Sequence, residues 1–205
     1  MNNVQPEHQP ERYRPLGNAE KYNATITSAK GARRFSHWLE ERAVRRALQH
    51  VSGTKVLDCP CGTGRIDELL RSRFNTVVGL DSSEAMLTVY RKGHAAREGH
   101  QGDAFALPFA DGEFDWVVSH RLLHHFTKDD DRVALLRSFA RVATSGVIVY
   151  AWLDTPLHSR RDSRRQTVPR DQMLRLLDAA GLTLEAEYFS AWPFQPKVEL
   201  VCRKK

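Results

Sequence analysis

Along the chain the spacing of apolar positions changes character repeatedly, and each change marks an element boundary. From Lys30 onward, Phe35, Trp38, Leu39, Ala43, Ala47, Leu48 and Val51 recur at three- and four-residue steps. Arginines and glutamates fill the gaps, which predicts an amphipathic helix closed by Gly53. Lys55-Val56-Leu57-Asp58 is a short apolar strand that runs into a glycine-bearing turn. Residues 65–73 read as helix, with Ile66, Leu69 and Leu70 on one side. Thr76–Asp81 is a second strand, and Ser82 is the expected cap of a helix carrying Glu84, Ala85, Met86, Leu87 and Val89.

The alternation continues. A weaker third strand ends at Gly102-Asp103, and Phe114–Ser119 is a fourth. Asp129, Asp130 and Asp131 open a helix through Val133, Leu136, Phe139 and Ala140, with the carboxylates at its positive end. Val147-Ile148-Val149-Tyr150 is apolar throughout, as a buried parallel strand should be. Pro169 suits the first turn of a helix containing Met173, Leu174 and Leu177 that stops at Gly181. Residues 182–189 and 198–202 then form a hairpin across the Trp192-Pro193 to Pro196 region. Strands alternating with helices predict one α/β domain. The expected architecture is a Rossmann-like, doubly wound sheet of seven strands, mostly parallel, with an antiparallel C-terminal hairpin strand. The domain should run over 19–205, with 19–52 as an N-terminal helical cap. Residues 1–18, bearing Pro6, Pro10 and Pro15, read as a disordered or loosely docked tail.

Composition narrows the setting. At 205 residues there is material for one core and little more. No apolar stretch approaches the roughly 20 residues that span a bilayer. The polar, proline-bearing start lacks the apolar segment of a secretory signal, so a cytoplasmic location is expected. Three cysteines, Cys59, Cys61 and Cys202, are too few and odd in number for a disulfide framework. The formal charge of +6 favours anionic partners such as RNA, phosphorylated small molecules or an anionic membrane face, without choosing among them.

The candidate chemistry sits at the first strand-to-helix turn, Asp58-Cys59-Pro60-Cys61-Gly62-Thr63-Gly64. Ligands of open α/β sheets bind at the carboxyl ends of such strands, and Gly62 and Gly64 let the backbone approach closely. Asp81 ends the second strand, where a carboxylate can accept from ribose hydroxyls. A dinucleotide fingerprint needs a third glycine, but that position is Asp67. Asp58 would repel a pyrophosphate and favour a ligand carrying an ammonium or sulfonium. S-adenosylmethionine carries both and has no phosphate.

These segments, with Gly79-Leu80-Asp81-Ser82-Ser83-Glu84-Ala85-Met86-Leu87, Gly102-Asp103-Ala104, Leu107-Pro108-Phe109 and Phe114-Asp115, resemble class I S-adenosylmethionine-dependent methyltransferases. The branch most similar contains the ubiquinone and menaquinone C-methyltransferases. The resemblance implies that Asp58, Pro60, Cys61, Gly62, Thr63 and Gly64 line the methionine portion. Asp81, with Ser82, would hold the ribose. Asp103 would accept from the adenine amino group while the Ala104 amide donates to the ring, and Met86 would pack on the adenine face. Ser119 and His120 would contact the cofactor again after the fourth strand. Tyr22, in Glu20-Lys21-Tyr22-Asn23, matches a Lys-Tyr-Asp lid element, with Asn23 in place of the acid. Pro60 stands where many relatives have their first glycine, so an amide contact there must come from elsewhere.

On the acceptor side, His124 and His125 follow the fourth strand and could orient or deprotonate the acceptor. No metal site is expected from these histidines, because no carboxylate or cysteine nearby in sequence completes a ligand set. The long connection 154–168 carries Arg160, Arg161, Arg164 and Arg165, whose guanidinium forks suit an anionic acceptor. The expected activity is methyl transfer to a small-molecule or lipid-linked acceptor. Two alternatives stay open: an RNA or protein methyltransferase, and a non-catalytic S-adenosylmethionine-binding regulatory protein.

Overall fold

The computed structural model describes residues 15–93, 98–159 and 166–205. Seven strands form one sheet: β1 (Lys55–Asp58), β2 (Thr76–Asp81), β3 (Glu98–Gln101), β4 (Phe114–Ser119), β5 (Ala143–Trp152), β6 (Leu182–Phe189) and β7 (Lys197–Lys204). Their order is β3-β2-β1-β4-β5-β7-β6. All neighbours are parallel as far as β5, while β7 runs antiparallel to both β5 and β6. The order reverses between β1 and β4, so a crevice opens at the carboxyl ends of those strands.

The helices are α1 (Leu16–Thr27), α2 (Gly31–Leu48), α3 (Asp67–Arg71), α4 (Glu84–Gly93), α5 (Asp129–Val142) and α6 (Arg170–Ala179). Alternate residues of each strand feed opposite faces of the sheet. Leu57, Val117, Val147, Val149, Leu200 and Cys202 pack with α5 and α6 through Leu135, Leu136, Phe139, Met173 and Leu177. Val56, Trp116, Val118, Ile148 and Val201 pack with α2 and α3 through Val44, Ala47, Leu48, Leu69 and Leu70. Close backbone approach between β5 and β7 depends on Gly146, where an added Cβ would lie 2.1 Å from the Cys202 carbonyl oxygen.

Several boundaries differ from expectation. Leu16, Gly17 and Asn18 belong to α1 rather than to the tail. The helix expected over 65–73 contracts to α3, because Thr63 to Ile66 continue the turn. The cap of α4 is Ser83, whose hydroxyl accepts from the Met86 amide at 3.3 Å, one residue beyond Ser82. Phe35 and Trp38 do not join the core face of α2: they stack on one another at 5.7 Å and remain 60% and 53% exposed. The buried residues of α2 all lie in its second half, from Glu40 onward, and its first turns are exposed. Residues 1–14 and the loop arginines Arg160, Arg161, Arg164 and Arg165 lie outside the described residues.

Candidate active site

The turn after β1 is held by backbone bonds before any ligand is considered. The Cys61 amide donates to the Leu80 carbonyl at 2.9 Å, and the Gly64 amide to the Cys61 carbonyl at 2.9 Å. Gly62 and Gly64 adopt φ of +54° and +88°, a region costly for side chains with a Cβ. The Asp81 carboxylate, 7% exposed, ties β2 to this turn. Its Oδ2 accepts from the Gly62 amide and its Oδ1 from the Ser83 amide, both at 2.9 Å. Burial raises the Asp81 pKa above the ordinary carboxylate value, against the lowering effect of the Ser83, Gly62 and Ser82 amides.

A cleft opens above these strand ends. Cys59, Pro60, Leu80, Asp81, Ser82, Gly102, Asp103, Ala104, Phe105, Leu122 and Phe126 line it, and it encloses about 430 Å³ including its open mouth. Asp103 Oδ1 accepts from the Phe105 amide at 3.0 Å, which shapes the lip after β3. Thus six expected residues or their direct neighbours meet in one place: Pro60, Asp81, Ser82, Asp103, Ala104 and, through its amide on Asp81, Gly62. Asp58 is buried at the end of β1, and Thr63 is buried with its Oγ1 lacking a partner among the described residues. The Cys59 and Cys61 thiols are pushed well above their usual pKa, first by burial and then by the neighbouring carboxylates Asp81 and Asp58. They are turn residues, not nucleophiles.

Other expected residues gather elsewhere. Tyr22 packs beside Met86, with Ala19, Ala85 and Val89, so α1 lies along α4. His120 lies outside the cleft lining. Its Nδ1 is 2.9 Å from Glu199 Oε1 on β7, and its ring meets Tyr150 edge-on at 4.9 Å. His124 and His125 sit in a short 3-10 turn (Leu123–His125). His124 is buried and stacks on Trp152 at 5.0 Å, with His125 at 4.1 Å beyond it. Ser119 is fully buried, and its Oγ has no partner among the described residues.

Sequence reasoning missed three groups. Asp67, read only as a failed glycine, is buried at the start of α3 and accepts from the Tyr90 hydroxyl at 2.8 Å. Glu199 was hidden inside an apolar strand. Glu40, on α2, looked like one more surface acid. It is buried, and Arg65 Nη2 (2.9 Å), Lys197 Nζ (2.6 Å) and Arg121 Nη1 (3.8 Å) converge on it. Burial alone would raise its pKa, but these three cations outweigh it and hold Glu40 at about 2.

Residues 57–151 match the model of a family described as a methyltransferase domain. Over 195 residues the chain is 33% identical to demethylmenaquinone methyltransferase of Mycolicibacterium vanbaalenii, covering 89% of this chain and 79% of that one. It is 31% identical over 166 residues to trans-aconitate 2-methyltransferase of Acidovorax sp. (strain JS42), covering 75% of this chain. The match spans only 61% of that relative's length. In fold it is similar to magnesium protoporphyrin IX methyltransferase of Synechocystis, solved with S-adenosylhomocysteine, at a TM-score of 0.75 and 14% identity, covering 95% and 97% of the two chains. With the sheet order, the strand-end cleft and these matches together, the chain belongs to the class I S-adenosylmethionine-dependent methyltransferases.

Proposed function

We propose that this methyltransferase acts on a small-molecule or lipid-linked acceptor, with the cofactor seated across the ends of β1, β2 and β3. The observation that carries the reading is the convergence of Asp81, Asp103 and the glycine turn on one cleft. When bound, S-adenosylmethionine supplies an electrophilic methyl group on a sulfonium. The residues present fit it. A carboxylate offers about four lone-pair sites. The Gly62 and Ser83 amides occupy two on Asp81 and the Ser82 amide also bonds to it, which leaves about one for a ribose hydroxyl. Asp103 engages one oxygen with the Phe105 amide and keeps the other for the adenine amino group, beside the Ala104 amide. Asp58, buried under the turn, favours positive charge there, and the Thr63 hydroxyl is available to the methionine portion. Pro60, Cys61 and Gly64 are assigned to that wall, while Ser119, His120, Tyr22 and Met86, which lie outside the cleft lining, are assigned to the cofactor only through the family resemblance.

Methyl transfer needs alignment and exclusion of water more than acid-base help. Trp152 stacks on the His124 ring, and His125 meets it tilted by 37°, so this pair is suited to orienting an acceptor or taking its proton. The long match to a quinone-methylating relative supports a non-polymeric acceptor. The test is transfer of a labelled methyl group from S-adenosylmethionine into separate small-molecule, lipid, RNA and protein pools from bacterial cells. Label in the first two is expected; label confined to RNA or protein, or to none, would refute the reading.

A further inference from the structure

A second polar cluster lies between α2 and the carboxyl edge of the sheet. Arg65 enters it from the turn after β1, Arg121 and His120 from the end of β4, and Lys197 and Glu199 from the start of β7. The register Trp152↔Lys197 and Tyr150↔Glu199 sets those β7 residues at the same edge as the histidine–tryptophan stack. Glu40 and Ser36 reach in from α2, both meeting Lys197 Nζ.

Donors outnumber the acceptors described for them. Arg65, Lys197 and Arg121 all reach the Glu40 carboxylate, and Glu199, the second carboxylate of the cluster, meets His120. Burial is graded: the Glu40 side chain is 3% exposed and Arg65 8%, while Lys197 at 23% and Arg121 at 35% reach toward solvent. Arg65 spends only Nη2 on Glu40. Its Nε and Nη1 are buried without a partner among the described residues. A guanidinium has five donors, and burying some unsatisfied is costly unless a ligand completes them. His37, close by, has its pKa lowered first by burial and then by Arg65, against Glu40, which raises it, with Arg121 and Lys197 adding smaller lowering effects. Arg121 is held at φ +66°, the one left-handed non-glycine backbone among the described residues.

We propose that Arg65, Lys197 and Arg121 form a carboxylate-binding subsite for the methyl acceptor, with Glu40 as the resident counter-ion. This rests on the small-molecule reading above and specifies its substrate class. A carboxylate of the acceptor takes the unspent Arg65 donors, and the rest of the molecule extends toward the cofactor cleft. The same chemistry could come from the methionine carboxylate of the cofactor, so the test separates the two sources.

The probe is succinate, with dimethyl succinate as its uncharged control, titrated by calorimetry into the full chain with and without saturating S-adenosylhomocysteine. Three results are expected. Succinate binds with S-adenosylhomocysteine in place, and the diester does not. Lys197→Met and Arg65→Gln weaken succinate about tenfold or more while S-adenosylhomocysteine affinity stays within about threefold. Glu40→Gln, which removes the competing anion, tightens succinate; a Glu40 that merely pins α2 would give loss or no change. Displacement of succinate by S-adenosylhomocysteine, or weaker S-adenosylhomocysteine binding in Lys197→Met, would overturn the proposal by assigning the cations to the cofactor. Absence of succinate binding to a chain that binds S-adenosylhomocysteine would also overturn it. Failure to bind S-adenosylhomocysteine at all would instead strike the cofactor reading on which it rests.

Discussion

Replacing Asp81 by asparagine tests the cofactor reading at the side chain that does two things at once. In the free protein the carboxylate bridges the Gly62 and Ser83 amides, and its remaining lone pair is assigned to a ribose hydroxyl. Asparagine is nearly isosteric but turns one oxygen into a donor, which must then face an amide N–H or a ribose hydroxyl. A hydrogen bond to a charged group contributes about 1.5–3 kcal/mol. Losing the charge and one acceptor should therefore cost binding about 2–4 kcal/mol, or roughly 30- to 900-fold in Kd. The turn itself should lose about 1–3 kcal/mol, read as a fall of a few degrees or more in Tm. Calorimetric titration with S-adenosylmethionine, paired with thermal melts of the ligand-free chain, separates the two losses. A lowered Tm with cofactor affinity within about threefold of the parent would refute the argument, because Asp81 would then be a turn clamp alone. The pH sign follows from burial. The ionised form accepts from the ligand, so affinity is present above the folded pKa and lost as pH falls through it. Because that pKa is raised, the loss should begin at a higher pH than for an ordinary aspartate.

Other outcomes follow from the packing. Glu40 titrates at about 2 in the folded chain, against the usual carboxylate value near 4.5. It should contribute about 3 kcal/mol of stability above the unfolded pKa, lost as pH falls from about 4.5 to about 2. The Tm gap between parent and Glu40→Gln should shrink over that window, and a pH-independent gap would contradict the ion cluster. Cys59, Cys61 and Cys202 are buried with raised pKa values, so iodoacetamide at pH 8 should label them only after unfolding. Rapid labelling of the native chain, followed by mass spectrometry, would show the turn to be open. Gly146→Ala would drive a Cβ into the Cys202 carbonyl and force β5 from β7. It should cost more than about 3 kcal/mol in chemical denaturation, and a neutral result would disprove that register.

The sequence by itself determined the elements and the cofactor half of the site. Strand identity was legible because each strand is a short apolar run between turn residues, and alternating elements admit few topologies. The cofactor residues were legible because they lie in local segments: one turn supplies Gly62 and Gly64, and the next two strand ends supply Asp81 and Asp103. Each carries its signal within a few residues. Only tertiary structure decided the acceptor side. Glu40, Arg65, Arg121, Lys197 and Glu199 come from four separate segments, up to 159 positions apart, and none carries a local signal of its role. The exposure of the first turns of α2 was equally hidden. Phe35 and Trp38 obey helical spacing, yet the buried residues of α2 begin at Glu40, so periodicity placed them on a face that no described residue covers. Periodicity reports which residues share a side. What that side meets depends on how far the partner extends, and the chain's linear order does not contain that distance.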